Sequence, residues 1–226
     1  MPVACHISNN ESNKTVKNFI KKSIPLKYRK AIVTDSKQGY DEIMNELGFV
    51  HQHCIFHLYK NILEAMQSEI NKTVKNYKQK LKIKHPELSD YKIKKLSKDK
   101  KICLEQEIKE YLELFYELFN QQNFKKAIRY IDLLKNEIKG FPKLLSEYLN
   151  KNFFPEYRKF LKFLKNPFKG KLEGTNNKLE NYLGNTLDKH TKRIYRTPEG
   201  MFAYIMSRKN GWIENRNQDL TNWQSL

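Results

Sequence analysis

The sequence predicts an α/β fold class, with a partial core of short strands and helices, a large all-α insertion, and a mostly helical chain overall. Short apolar runs alternate with helical stripes over residues 1–66, an order that is typical of parallel α/β pairing. Residues 67–168 are rich in Lys, Glu, Leu and Tyr and contain few breakers, which favours helices. Residues 169–226 return to mixed character and carry further helical stripes.

The elements of residues 1–66 follow from the spacing of apolar side chains. Ala31–Val33 is a short apolar run of the kind that is buried in a parallel sheet. The helical stripe that begins at Tyr40 ends at Gly48, which is a good C-terminal stop for a helix. The predicted elements, in order, are a strand-like piece at Met1–Ile7, a helix at Thr15–Lys22, a strand at Lys30–Thr34, a helix at Tyr40–Leu47, a strand at Phe49–Phe56 and a helix that opens at Leu58.

The middle block, residues 67–168, is predicted to be all-α. Amphipathic stripes mark one helix over residues 102–119 and another at Ala127–Ile138. Lysines are densest across Lys72–Lys101, where two interpretations stay open: a solvated helix face, or a direct contact with DNA. The last region is predicted to contain a helix after Asn177, a basic cluster at His190–Arg196 and a final helix from Pro198 to Trp212.

The charge of the chain is its strongest bulk signal. The formal net charge is +18 and the pI is near 9.6, so the protein attracts polyanions, of which nucleic acid is the first candidate. Lysine far outnumbers arginine, which is also what an AT-rich genome produces without any role in DNA binding. Composition alone therefore leaves both interpretations open.

The sequence argues against several classes of protein. No apolar run reaches the ~18 residues that cross a membrane, and the N-terminus lacks the apolar core of a signal peptide. The three cysteines are far apart and do not suggest a disulfide framework. Walker A, GxGxxG and GxSxG motifs are absent from the sequence, which argues against nucleotide-dependent and α/β-hydrolase chemistry. We expect a cytoplasmic, nucleoid-associated protein without a membrane partner.

Two carboxylates occupy positions where a metal ion could be held. Asp35 follows a predicted buried strand, and ligands of open α/β sheets gather at the carboxyl ends of strands. Glu180 lies in a predicted helix at the border of its apolar face, four residues after Asn176. The plainer alternatives are a turn aspartate and a surface glutamate. Glu173, on the same segment as Glu180, is a rival for its role.

The segment from His51 to His57 is dense in side chains that can bind metals. Zinc normally needs four converging ligands, and no second half of such a site follows downstream in the sequence. Hydrogen-bonded packing at a strand–helix junction is the favoured interpretation, and we do not expect zinc as a cofactor. A nucleophilic Cys/His pair has no visible orienting partner.

Three segments together resemble DDE-type transposases of bacterial and archaeal insertion sequences, related to the Mutator group, whose catalytic domain has an RNase H-like fold. The matching segments are Ala31–Asp35 with Tyr40 following, Leu47–Asn61 with its Cys-x-x-His element, and Gly174–Asn181 with its Thr-Asn-Asn-x-x-Glu element.

The resemblance implies a function and a set of site residues. Asp35 matches the second catalytic carboxylate and Glu180 the third, and together they would bind Mg²⁺ or Mn²⁺, with two ions in the intact family. Cys54 and His57 match a motif near the active site. The expected partners are DNA, as transposon ends and target, and further copies of the chain in a homo-oligomer. Basic residues that would contact DNA are Lys189, Lys192, Arg193 and Arg196.

The resemblance also implies how the chain is divided. Residues 1–66 would be the N-terminal part of a truncated RNase H-like core, residues 67–168 the all-α insertion, and residues 169–226 the C-terminal helices that complete the core. No aspartate precedes Asp35, and Glu11 is the only earlier acid. We therefore expect a truncated transposase that is inactive alone. The alternative function is a non-catalytic, basic DNA-binding remnant.

Overall fold

The computed structural model describes residues 11–176, 197 and 199–208. Helices dominate these residues, and strands are few and short. None of the described helices is both long enough and apolar enough to cross a membrane. The main elements are α1 (Asn13–Ser23), β1 (Ala31–Thr34), α2 (Tyr40–Glu46), β2 (Val50–His53), α3 (Ile55–Lys84), α4 (Asp90–Tyr116), α5 (Phe124–Glu137), α6 (Lys143–Tyr148) and α7 (199–208).

β1 and β2 form a parallel two-stranded sheet within the described residues, which confirms the mixed α/β prediction at this coarse level. The Val50 N–H donates to the Lys30 carbonyl at 3.0 Å, and the Cys54 N–H donates to the Thr34 carbonyl at 2.8 Å. All four residues of β1 are half-buried, whereas the apolar run predicts burial. β1 is paired along one edge within the described sheet, so its side chains are less covered than those of a central strand.

β2 is shorter than the sequence predicts. The predicted strand runs from Phe49 to Phe56, but the observed strand is Val50–His53 and Cys54 is the N-cap of α3. Leu58 begins a buried stripe with i, i+4 spacing that continues down α3, and this helical register extends back to Ile55. The last residues of the apolar run therefore belong to the helix.

The contacts of the chain divide it into two units. Of the described residues, the first unit combines 11–32, 37–51, 176, 197 and 199–208, and its core lies between α1 and α2. Arg29 fixes the ends of both helices, because its guanidinium donates to the carbonyls of Lys21, Ile24 and Leu47. Gly48 has a φ of 83° just after α2, which confirms the predicted glycine stop. The buried residues are Ile20, Tyr40, Ile43, Met44, Leu47 and Phe49.

The second unit combines residues 33–36 and 52–175 and contains the long helices. α3 and α4 pack as an antiparallel hairpin, since the loop between them is only residues 85–89. Ser89 caps α4 by accepting a hydrogen bond from the Lys92 N–H at 3.4 Å. The core beside this hairpin is aromatic, and Phe115 and Phe153 are fully buried in it. Over residues 67–168 the structure contains helices, among them α4, α5 and α6, and no strand.

Candidate functional site

The start of α3 is hydrogen-bonded to the end of β1, where Asp35 lies. The Cys54 N–H donates to the carbonyl of Thr34, the residue before Asp35, at 2.8 Å. The Thr34 hydroxyl donates to the Asp35 carbonyl at 2.8 Å, and this bond restrains the backbone at Asp35. Asp35 itself is half-buried, so its carboxylate keeps access to solvent. Two hydrogen bonds therefore hold the backbone where the strand ends and Asp35 follows.

A third segment reaches the same point of the fold. The Ile55 N–H, in the first turn of α3, donates to the Gly174 carbonyl at 2.9 Å. Gly174 and Thr175 begin the Thr-Asn-Asn motif of the sequence. The N-cap of α3, Cys54, and its first residue, Ile55, therefore bind the backbone at Thr34 and Gly174. These two bonds join the three segments that resemble transposase motifs.

Cys54 and His57 occupy the first turn of α3. Cys54 is fully buried, and its φ of −70° and ψ of 120° are those of an N-cap residue. Within the described residues it belongs to no disulfide. His57 is half-buried, and its buried Nδ1 has no hydrogen-bond partner in the described part of the chain. Both side chains thus lie one turn apart at the end of the helix that contacts Thr34.

Gly174 allows the third segment to approach α3 closely. A Cβ at this position would lie 2.5 Å from Cδ1 of Ile55 and 3.4 Å from a ring carbon of Phe163. The first distance is shorter than any real Cβ contact, so a side chain here would displace Ile55 or the backbone of the segment.

Gly174→Ala is expected to lower the free energy of unfolding by about 0.5–1.5 kcal/mol, because the Cδ1 end of the Ile55 side chain must rotate away from the new methyl group. The measurement is urea unfolding followed by circular dichroism. Ile55→Val removes only the Cδ1 methyl group, so Gly174→Ala should cost much less in the Ile55→Val background. Equal costs in both backgrounds would show that the contact with Ile55 does not limit the size of residue 174.

The histidine-rich strand supports the packing interpretation at two positions. His51 Nδ1 lies 2.7 Å from the Asp41 carboxylate, and the His51 side chain is buried. Gln52 is also buried, and its amide bonds the Phe160 carbonyl at 2.8 Å and the Phe163 N–H at 3.1 Å. The sequence does not point to a role for Asp41 or Gln52, because neither belongs to a motif and their partners are distant in the sequence.

The segment that leads to Gly174 is strongly basic. Arg158, Lys162 and Lys165 lie close enough to interact, and Lys169 and Lys171 follow. Burial, together with the charges of Lys162 and Arg158, holds the pKa of Lys165 below its usual value. This concentration of positive charge suits a polyanionic ligand near Gly174.

Other predicted site residues are placed differently. Glu180, Lys189, Lys192, Arg193 and Arg196 lie outside the described residues. The rival Glu173 is exposed. The early acid Glu11 is held by the Tyr40 hydroxyl and by Lys37 Nζ at 3.1 Å, and these contacts lower its pKa. The observed contacts of Glu11 are therefore those of a surface ion pair.

The chain is similar to a protein of an insertion element. The chain is 25% identical over 221 residues to the "Insertion element ISM1 uncharacterized 48.3 kDa protein" of Methanobrevibacter smithii. The match covers 95% of this chain and 46% of that relative, so the chain spans less than half of the relative's length. No family model matches the chain, and no solved structure matches it. This similarity to an insertion-element protein supports the interpretation of the chain as a transposase-related protein.

Proposed function

We propose that this chain is part of the catalytic domain of a DDE-type transposase, with an RNase H-like core, which cleaves and joins DNA strands with divalent metal ions. One observation carries the proposal: adjacent N–H groups of Cys54 and Ile55 bind the carbonyls of Thr34 and Gly174. The segments with transposase-like motifs are thereby joined, although they are far apart in the sequence. The insertion-element relative supports the same role.

Among the described residues, Asp35 has the ligand chemistry that a hard divalent ion needs. Asp35 offers carboxylate oxygens from a half-buried position directly after a strand, and Mg²⁺ and Mn²⁺ prefer oxygen ligands. Asp35 and Glu180 are the residues that would hold the metal. When bound, such ions activate an attacking hydroxyl and offset charge on the phosphodiester. Asp35 would position a ligand oxygen, while Lys162 and Lys165 would attract the DNA backbone.

Glu11, the only acid before Asp35 in the sequence, is engaged by Tyr40 and Lys37. We propose no metal-binding role for it.

A second candidate function is DNA binding without catalysis, which the +18 charge favours. The two functions differ in what Asp35 does. In a metal site, loss of Asp35 removes a ligand, whereas in a simple DNA-binding protein it removes one negative charge and improves binding slightly.

The Asp35→Ala variant is expected to lose a metal site that can be mapped without any catalytic turnover. Fe²⁺ bound in place of Mg²⁺, with ascorbate and peroxide, generates radicals that cut the nearby peptide backbone. We expect cuts close to Asp35 and to Glu180 in the unaltered chain, and competition by excess Mg²⁺. Mass spectrometry of the fragments locates the cuts.

Asp99→Ala, which removes an exposed carboxylate of α4, is the matched control and should leave the cutting pattern unchanged. Cuts that persist in Asp35→Ala, or that lie far from both carboxylates, would refute the metal site. Rapid Mg²⁺-dependent nicking of insertion-element ends by the chain alone would instead overturn the expectation of inactivity.

A further inference from the structure

The distal half of the α3–α4 hairpin is the most highly charged part of the chain. We call residues 72–101 the basic arm. It contains twelve lysines and three acidic residues, a formal charge of +9, which is half of the +18 of the whole chain. A charge this concentrated raises the local electrostatic potential far above that of an evenly charged surface.

The lysines of the basic arm are available for a partner. Ten of the twelve are exposed, and Lys100 and Lys101 are half-buried. Within the described residues only three form ion pairs: Lys72 with Glu69, Lys82 with Asp90 and Lys101 with Glu105. Most of the positive charge is therefore not neutralised by the protein itself.

The basic arm extends past the hydrophobic core of its unit. The buried residues of this core end at Ile70 on α3 and begin at Ile108 on α4, and the partly buried Val74 and Leu104 pack against it. Beyond these positions the two helices pack on each other, with Ile93 and Ser97 buried on α4. The α3 part of the arm, residues 72–84, is ~20 Å long, which matches the rise of about six base pairs.

We propose that the basic arm binds the phosphate backbones of double-stranded DNA without reading its sequence. The choice of DNA rests on the proposed function, whereas the existence of a polyanion-binding surface rests on the charge, exposure and pairing described above. Lysine is a flexible point charge without the planar fork of arginine, so contacts with phosphates are expected rather than contacts with base edges.

The pattern of the arm favours nucleic acid over a membrane surface. A helix that lies on a lipid surface needs an apolar face of its own, opposite its charged face. In the basic arm the regular apolar positions, such as Ile93, are buried where α4 packs on α3. Ile83 and Tyr91, which flank the loop, are strongly exposed, and Leu96 is exposed to a lesser degree, but these three residues do not follow one another at helical spacing. A stiff, regular lattice of phosphates is the better match.

The test compares four charge-neutralising substitutions in the arm with four elsewhere. The arm variant combines Lys75→Gln, Lys80→Gln, Lys95→Gln and Lys98→Gln, all at exposed positions without ion pairs in the described part of the chain. Fluorescence anisotropy measures its affinity for a random-sequence DNA duplex over a range of salt concentrations. We expect at least a tenfold loss of affinity at about 0.15 M salt, and a salt dependence that is shallower by about one unit for each lysine–phosphate pair that the substitutions remove.

The control variant combines Lys22→Gln, Lys125→Gln, Lys139→Gln and Lys151→Gln, which are equally exposed and lower the net charge by the same amount. It should bind within about twofold of the unaltered chain. Equal losses in both variants would mean that net charge alone attracts DNA, and would overturn the proposal, as would no loss in either. Circular dichroism of both variants checks that the helices remain folded.

Two further binding measurements test the assignment to duplex DNA. Single-stranded DNA of the same length and duplex RNA are titrated with the unaltered chain and with the arm variant. A loss confined to single-stranded DNA, or to RNA, would refute the assignment to duplex DNA. If the arm variant loses duplex binding while Fe²⁺ cuts nowhere near Asp35, the proposal that the basic arm binds DNA is supported and the catalytic proposal fails.

Discussion

Phe153→Ala is expected to lower the free energy of unfolding of the helical unit by about 3–5 kcal/mol, the largest effect of any single change considered for this protein. The Phe153 side chain is fully buried and lies against Phe115 with ring centroids 4.8 Å apart and planes at 88°. It also contacts Phe154 and Phe160. Removing the ring deletes a large apolar surface and leaves a cavity among side chains that cannot close around it. Urea unfolding followed at 222 nm reports on these helices.

Two further variants show whether the ring contact itself contributes. Phe153→Leu should cost less than half as much, because most of the volume is kept. A double-mutant cycle of Phe153→Leu with Phe115→Leu should give a coupling of about 0.5–1.5 kcal/mol, as expected for an edge-to-face pair. Leu133→Ala, at an exposed position of α5, is the control and should change stability by at most about 0.5 kcal/mol. A cost below about 1 kcal/mol for Phe153→Ala would show that this cluster is not the core.

Helices were predictable because their signal is local. Ile131 and Leu134 are buried on α5, and they belong to the same stripe that predicts a helix over Ala127–Ile138. The boundary between β2 and α3 was not predictable in the same way. A run of apolar residues fits either a strand or a helix, and here the helix begins after Cys54, whose N–H binds the carbonyl of Thr34, twenty residues earlier.

The candidate site likewise has features that the sequence predicts and features that it does not. Asp35 could be proposed from the sequence because the end of a predicted strand is a local feature. The approach of Gly174 to Ile55 could not, since no periodicity links residues 119 positions apart. The basic arm was predictable in part. Its lysines are evident in the sequence, but only the tertiary structure shows that they lie on a two-helix hairpin beyond the core. The second fact is what favours our proposal of a partner surface over a solvated helix face.

Gln52→Leu is expected to lower the free energy of unfolding by about 2–4 kcal/mol. The Gln52 side chain is fully buried at the end of β2, two residues before the N-cap of α3. Its Nε2 donates to the Phe160 carbonyl at 2.8 Å and to the His53 carbonyl at 2.6 Å, and its Oε1 accepts from the Phe163 N–H at 3.1 Å. Leucine has a similar volume, so the cost comes from the buried backbone groups that lose their partner, at about 1–3 kcal/mol each. Gln67→Leu, at an exposed position, is the control.

Gln52→Glu separates this hydrogen-bonding role from packing, because it keeps the shape and changes only the donor. An ionised glutamate can still accept from the Phe163 N–H, but its second oxygen would face the Phe160 carbonyl without a proton. Burial and this repulsion should raise the folded-state pKa of the new carboxyl above its unfolded value of about 4.3. The folded state then binds the proton more tightly, so the variant loses stability relative to the unaltered chain as pH rises through and above about 4.3. Unfolding curves at pH 4 and pH 7 should show a clearly smaller deficit at pH 4. A deficit that is the same at both pH values would mean that residue 52 acts through packing alone, and that the 160–163 segment is held to β2 by other contacts.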